Sequence, residues 1–250
     1  MIHLTIVGTG ALARNLYHNF IESKKVALQI IGRSKEQLDY FSNATTTTNF
    51  KSAQDSELII LAVSDTDVSI CEELIGISER FIVHCAGSLA LDVLKSPNAG
   101  VLYPLQTFNK INVVDLKRVP ILIEATNESS LKYINNVAHI ISSNVCQLNS
   151  QKRKEAHLAA VFANNFSNYL YGISKELLEE FDLPEDLLNE LILQTAKNAI
   201  ANHPKEIQSG PAKRNDVTAI KLHLDMICNP NHKDLYEKLS NAIKDYYYEL

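Results

Sequence analysis

Three groups of residues in this chain have types and spacings suited to chemistry. The first is Gly8-Thr-Gly10-Ala11-Leu12-Ala13, a G-x-G-x-x-A run. Gly8 permits a tight turn, and Gly10 lets an anionic group approach the backbone. Ala13 lets a following helix pack close to the preceding strand. The second is His157-Leu-Ala-Ala160-Val-Phe-Ala-Asn164, from which His157, Asn164, Asn168 and Tyr171 fall near one face of a helix. An Asn inside an apolar helix is costly unless its amide is satisfied, either by a ligand or by a structural hydrogen bond. The third is Gly210-Pro-Ala-Lys213-Arg214-Asn-Asp216, where two cations gather at a predicted helix start. Cations there oppose the helix dipole, so a nearby anion is one reading and a solvated surface pair is the other.

The context of the glycine run gives it meaning. Met1-Ile-His-Leu-Thr-Ile-Val7 reads as a strand, and Ala13, Leu16, Tyr17 and Phe20 recur at helical spacing behind the turn. Strand, glycine turn and helix form the layout of a dinucleotide site, with the free N–H groups of the helix start aimed at the pyrophosphate. Gly8, Gly10, Ala11, Leu12 and Ala13 are therefore the expected cofactor contacts. The second strand, Val26–Ile31, is followed by Gly32-Arg33-Ser34-Lys35 and not by an acid. An NAD site usually carries Asp or Glu there for the ribose 2′-hydroxyl, whereas Arg33 and Ser34 suit a 2′-phosphate. NADP is thus expected rather than NAD; the alternative is that Arg33 and Lys35 are solvated loop residues. The spacing and Arg33 also argue against an S-adenosylmethionine methyltransferase.

Bulk properties narrow the classes. The chain has 250 residues, 46% of them hydrophobic, and a net charge of −5. That suffices for one large domain or two modest ones. No basic stripe favours nucleic acid, and no apolar run approaches the length of a membrane span. The strand starting at Met1 or Ile2 leaves no room for a signal peptide, and the four scattered cysteines read as reduced thiols of a cytoplasmic protein. No metal-ligand constellation is visible.

Strands and helices alternate through the first part. After Val26–Ile31 come a helix near Lys35–Asn43 and a short threonine run at Thr45–Thr48. Further strands follow at Glu57–Val63, Arg80–Val83, Gly100–Tyr103, Val119–Glu124 and Asn144–Leu148, with a helix over Ser129–Ser142. This pattern predicts an α/β fold, a doubly wound and mainly parallel Rossmann sheet, over residues 1–150. Residues 151–250 read as an all-α domain. A long helix spans Gln151–Phe181, another Glu185–Asn202 with Pro184 in its first turn, a third runs from Gly210 to about Cys228, and a last ends at Tyr246-Tyr-Tyr248.

Ligands of such sheets sit beyond the carboxyl ends of the strands. The Ala62-Val63-Ser64-Asp65 loop should pass beside the nucleotide, and Ala86-Gly87-Ser88 should lie near the nicotinamide. Tyr103 ends the next strand and is either a proton donor or a packed phenol.

On Gly8–Ala13, Gly87-Ser88, Pro104–Phe108, His157–Tyr169 and Gly210–Asp216 through His223-Leu224, the chain resembles a bacterial family. Its members join a Rossmann-like NADP-binding domain to a helical domain of unknown function. Wider relatives are pyrroline-5-carboxylate reductase and the 6-phosphogluconate and β-hydroxyacid dehydrogenases. The resemblance implies an NADP-binding fold and a homodimer formed through the helical domain. The related sugar-acid dehydrogenases carry a catalytic lysine four residues before an asparagine. Aligned on His157 and Asn164, that position is Ala160, and Tyr103 stands where the bacterial group is expected to carry histidine. The expected activity is an NADP-dependent oxidoreductase acting on a small carbonyl, imine or hydroxy acid. Asn164 and Ser88 would orient nicotinamide or substrate, His157 or Tyr103 would handle protons, and Lys213 with Arg214 would receive a carboxylate. The alternative is an NADP(H)-binding sensor or scaffold without turnover, which the missing lysine motivates.

Overall fold

The computed structural model describes residues 1–77 and 79–248. The chain divides into two compact units, Met1–Phe166 and Ser167–Leu250.

The first unit is built on eight strands: β1 (Ile2–Val7), β2 (Val26–Ile31), β3 (Thr45–Thr47), β4 (Leu58–Leu61), β5 (Phe81–His84), β6 (Ala99–Pro104), β7 (Ile121–Ala125) and β8 (Val145–Gln147). They form one sheet in the order β3-β2-β1-β4-β5-β6-β7-β8. Every pairing is parallel except β6 with β7, which run antiparallel. The apolar runs Leu58–Leu61 and Ile2–Val7 are central strands, and Leu58 to Leu61 are wholly buried between the two faces. Helices α1 (Ala11–Ser23), α2 (Lys35–Leu38), α3 (Val68–Ile75) and α4 (Glu128–Ile141) connect the strands. Ala13, Leu16, Tyr17 and Phe20 form the buried stripe of α1, as their spacing predicts. The strand order reverses at β1 and β4, and the crevice at that reversal holds the glycine turn.

Two asparagines of α1 hold a long loop in place. Asn15 accepts from the Val114 N–H at 2.7 Å and Asn19 accepts from the Leu116 N–H at 2.9 Å. These bonds satisfy backbone donors that the irregular stretch between β6 and β7 otherwise leaves unpaired.

The sheet ends where the reading at residue 150 places the change to helix. Helix α5 (Ser150–Ala160) begins there, yet it belongs to the first compact unit. The long helix expected over Gln151–Phe181 is not continuous α-helix. A π-helical segment, Val161–Phe166, separates α5 from α6 (Ser167–Glu180). The wider π turn breaks the α spacing that placed Asn168 and Tyr171 on the face of His157.

The second unit is helical. Helix α7 (Asn189–Ala201) starts later than its sequence suggests, because residues 185–188 form turns. Pro204 opens a one-turn helix, α8 (Pro204–Ile207). The helix expected from Gly210 begins only at Val217 (α9, Val217–Met226), since Gly210 and Asn215 both take positive φ values of 105° and 53°. Its start is capped by Asp216, whose carboxylate accepts from the Ala219 N–H at 3.0 Å. The chain closes with α10 (Pro230–Tyr248). No helix among the described residues is long and apolar enough to cross a membrane.

Candidate functional site

Gly8 follows β1 with φ +124°, and a Cβ there would lie 2.3 Å from the Ala62 carbonyl oxygen. Only glycine permits this approach of β1 to β4. A Cβ on Gly10 would meet nothing within 4 Å, so the backbone in front of α1 opens on a cleft. Gly10 is also the N-cap of α1, and no side chain caps that helix. The first N–H groups of α1 thus present an uncapped anion site, which fits a dinucleotide pyrophosphate.

The cleft in front of them measures about 450 Å³ and is lined by Gly8, Gly10, Ala11, Leu12, Val63 and Ser64, among others. Three cations, Arg14, Arg33 and Lys110, stand on its walls against the single carboxylate of Asp67. Arg33 is 83% exposed and lies 3.5 Å from Asp67, which also accepts from the Ser64 hydroxyl at 2.8 Å. So exposed a pair is weak, and an arriving phosphate can compete for the guanidinium. Ser34 is half-buried at the N-cap of α2 and does not line the cleft; Ala13 is wholly buried under α1.

A second cleft of about 880 Å³ adjoins the first along Ala11, Leu12 and Val63. It brings together Ala86, Gly87, Ser88, Tyr103, His157 and Asn164, residues drawn from two strand ends and one helix. The Tyr103 hydroxyl and His157 Nδ1 are hydrogen-bonded at 2.9 Å. Gly87 makes this pair possible: a Cβ there would stand 2.7 Å from His157 Nδ1 and 2.8 Å from Tyr103 Cζ. Burial raises the Tyr103 phenol above its usual range, the Asp65 charge raises it further, and Arg153 partly opposes both. Ser88 donates to the Asp65 carboxylate. Asn164 is exposed and lines the cleft, and no hydrogen bond ties its amide among the described residues. The expected burial of this Asn within an apolar helix is therefore absent, since residues 162–166 are all exposed. Lys213 and Arg214 lie in the second unit, where the Lys213 ammonium sits 4.9 Å over the Tyr247 ring and its carbonyl accepts from Tyr248 at 2.5 Å.

Sequence reasoning missed what fixes the walls of this second cleft. Arg153, wholly buried, pairs with Glu124 of β7 and donates to the Leu89 carbonyl at 2.5 Å. Ser150 donates to the same carboxylate at 2.8 Å and accepts from the Leu91 N–H at 2.9 Å. Helix α5 is thereby tied to β7 and to the loop that carries Gly87 and Ser88. The helical spacing of Arg153 and His157, four residues apart, is the available signal, and Lys152 and Lys154 on either side obscure it.

The geometry can be compared with known proteins. Residues 3–86 match the family described as NADP oxidoreductase, coenzyme F420-dependent, and residues 119–243 match a domain of unknown function, DUF2520. A Bacteroides fragilis protein provisionally named an NADP oxidoreductase is 33% identical, with 98% of each chain covered and a TM-score of 0.90. The chain belongs to this NADP oxidoreductase family. A Plasmodium falciparum pyrroline carboxylate reductase with NADP bound shares the fold at 17% identity and TM-score 0.60, over 98% of this chain and 97% of that one. A Myxococcus stipitatus imine reductase in complex with NADP+ does so at 12% identity and TM-score 0.64, over 99% and 93%. No curated protein sequence matches the chain.

One further histidine shapes the loop of the second cleft. His84 ends β5, fully buried, and its Nδ1 accepts from the Ala86 N–H at 3.1 Å. Burial, then the Arg153 charge, push its pKa down to about 4 from 6.5. Between those values the unfolded chain holds more protons than the folded one, so the contribution is complete above pH 6.5 and lost as pH falls toward 4. Unfolding in denaturant should show the protein losing up to about 3 kcal/mol across that window through this group. His84→Asn, whose amide oxygen can still accept from Ala86, should flatten the profile there. Equal slopes for both proteins would remove His84 from the account.

Proposed function

We propose that this protein is an NADPH-dependent reductase of a small carbonyl or imine. The observation that carries the reading is the continuity of the two clefts: the uncapped start of α1 and the Tyr103–His157 pair share Ala11, Leu12 and Val63 as walls. In this reading Gly8, Gly10, Ala11 and Leu12 hold the pyrophosphate, and Arg33 takes the 2′-phosphate in exchange for Asp67. Bound NADPH supplies the hydride. Ala86 and Gly87 border the place of the nicotinamide, and the Asn164 amide offers hydrogen bonds to it or to the substrate. Tyr103 and His157 hold a proton between them at the substrate end. That pair offers an acid where the lysine of the sugar-acid dehydrogenases is replaced by Ala160, which favours turnover over a sensor role.

The charge balance of the first cleft supports NADP over NAD. Arg33→Glu should weaken NADPH binding by about tenfold to a hundredfold, the worth of a lost charge-assisted hydrogen bond. NADH binding should change by less than about threefold on the same grounds. Calorimetric titration with both nucleotides checks this, and equal losses would contradict the assignment of Arg33.

We also infer a homodimer formed through the helical unit. Helix α7 buries none of its side chains, and Leu191, Leu193 and Ile200 are 62%, 51% and 88% exposed. Leu193 and Ile200, seven residues apart, share one side of α7 and Leu191 lies opposite, and apolar side chains left exposed around a helix in this way mark an interface. Sedimentation equilibrium at micromolar concentration should return the dimer mass, and a monomer throughout would refute it.

A further inference from the structure

The two clefts differ in charge. Three cations face Asp67 in the first, whereas no lysine or arginine lines the second among the described residues. Asp65 is its one carboxylate. This residue sits just beyond β4, at the carboxyl edge of the sheet, and Ser88 from the neighbouring loop donates to one of its oxygens. A carboxylate accepts several hydrogen bonds, so capacity remains for a donor in the cleft. Much of the rest of the lining is apolar, including Leu105, Phe108, Ala159, Ala160 and Val161.

Arg153 does not reverse this balance. Its guanidinium is wholly buried and committed to Glu124 and the Leu89 carbonyl, so it cannot receive a substrate carboxylate. An anionic substrate would meet Asp65 with no cation on the cleft wall to offset the repulsion. A cationic one gains an ion pair with Asp65, which is exposed, so the pair adds a modest preference. The Asp65 charge reaches across the cleft wall to the Tyr103 phenol, which burial raises first and Asp65 raises further.

We propose that Asp65 is a specificity-determining residue that selects a cationic nitrogen substrate, an iminium in the reducing direction, with a small apolar carbon frame. This rests on the reductase reading above and names its substrate class. The iminium carbon accepts a hydride, with its electron pair, from the reduced nicotinamide. The C=N π pair becomes the nitrogen lone pair, so iminium and NADPH give a neutral amine and NADP+. The amine then takes a proton from water, and positive charge returns beside Asp65. Because the carbon of a protonated imine is already electrophilic, the step needs less acid catalysis than a ketone, in keeping with Ala160 at the lysine position.

The test compares three ligands that share one ring: cyclopentylammonium, cyclopentanol and cyclopentanecarboxylate. Each is titrated calorimetrically into the full-length protein saturated with NADP+. The expected result is ammonium binding about fivefold tighter than the other two, the upper worth of an exposed charged pair. Asp65→Asn should bring the three to within about 1.5-fold while NADPH affinity holds, and Asp65→Glu should keep the preference. Absence of an ammonium preference, including binding of none of the three, overturns the inference. So does a preference that survives in Asp65→Asn, or a comparable loss of NADPH affinity there, which would make Asp65 a cofactor contact. Failure of the unaltered protein to bind NADP(H) would instead overturn the reductase reading on which this inference stands.

Discussion

The site depends on one buried cation. Arg153 sits inside the first unit with no solvent contact, a position that costs several kcal/mol unless its charge is met. Glu124 meets it from β7, the strand antiparallel to β6, and Leu89 meets it from the loop beyond β5. Ser150 closes the group by bonding to Glu124 and to the Leu91 N–H. Removing one member strands a charge, so helix, strand and loop hold together or fail together. His157 lies one turn beyond Arg153 on α5, and Tyr103 lies on the strand beside Glu124. The clamp therefore sets the distance at which the two hydrogen-bond.

The parallel sheet supplies the other constraint. Loops after β1, β2, β4 and β5 all leave the same edge, so the glycine turn, Arg33, Val63–Asp65 and Ala86–Ser88 converge without any long-range design beyond strand order. Glycine appears where the chain passes too close for a side chain. Gly8 clears the Ala62 carbonyl, and Gly87 clears the Tyr103–His157 pair. The edge is divided by charge. Cations gather where phosphates are expected, and the carboxylate of Asp65 faces the apolar cleft where a substrate is expected.

Much of this was legible in the sequence because it is local. The glycine spacing behind a β-branched run, the helical stripe of α1 and the turn residues after each strand are all short-range patterns. Each led to the element that the structure contains. What was not legible is long-range. Arg153 stands in a run with Lys152, Lys154 and Glu155, and only its spacing four residues before His157 sets the buried cation apart from its solvated neighbours. The π segment at Val161–Phe166 was likewise hidden, since its composition is ordinary for an α-helix, and it undid the face argument for Asn168 and Tyr171. The cations Lys213 and Arg214 read as a helix start because Gly210-Pro211 is a strong opening signal. Asp216 proved to be the cap that begins the helix, three residues beyond Lys213.

The central claim is that the crevice at the β1–β4 reversal holds NADPH with its nicotinamide directed to the Tyr103–His157 pair. The most direct test is a crystal structure of the protein grown with NADPH. The account predicts pyrophosphate oxygens on the N–H groups at the start of α1, the 2′-phosphate on Arg33 in place of Asp67, and the nicotinamide beside Gly87. A cofactor bound elsewhere, or a glycine turn that stays empty at saturating NADPH, would contradict it.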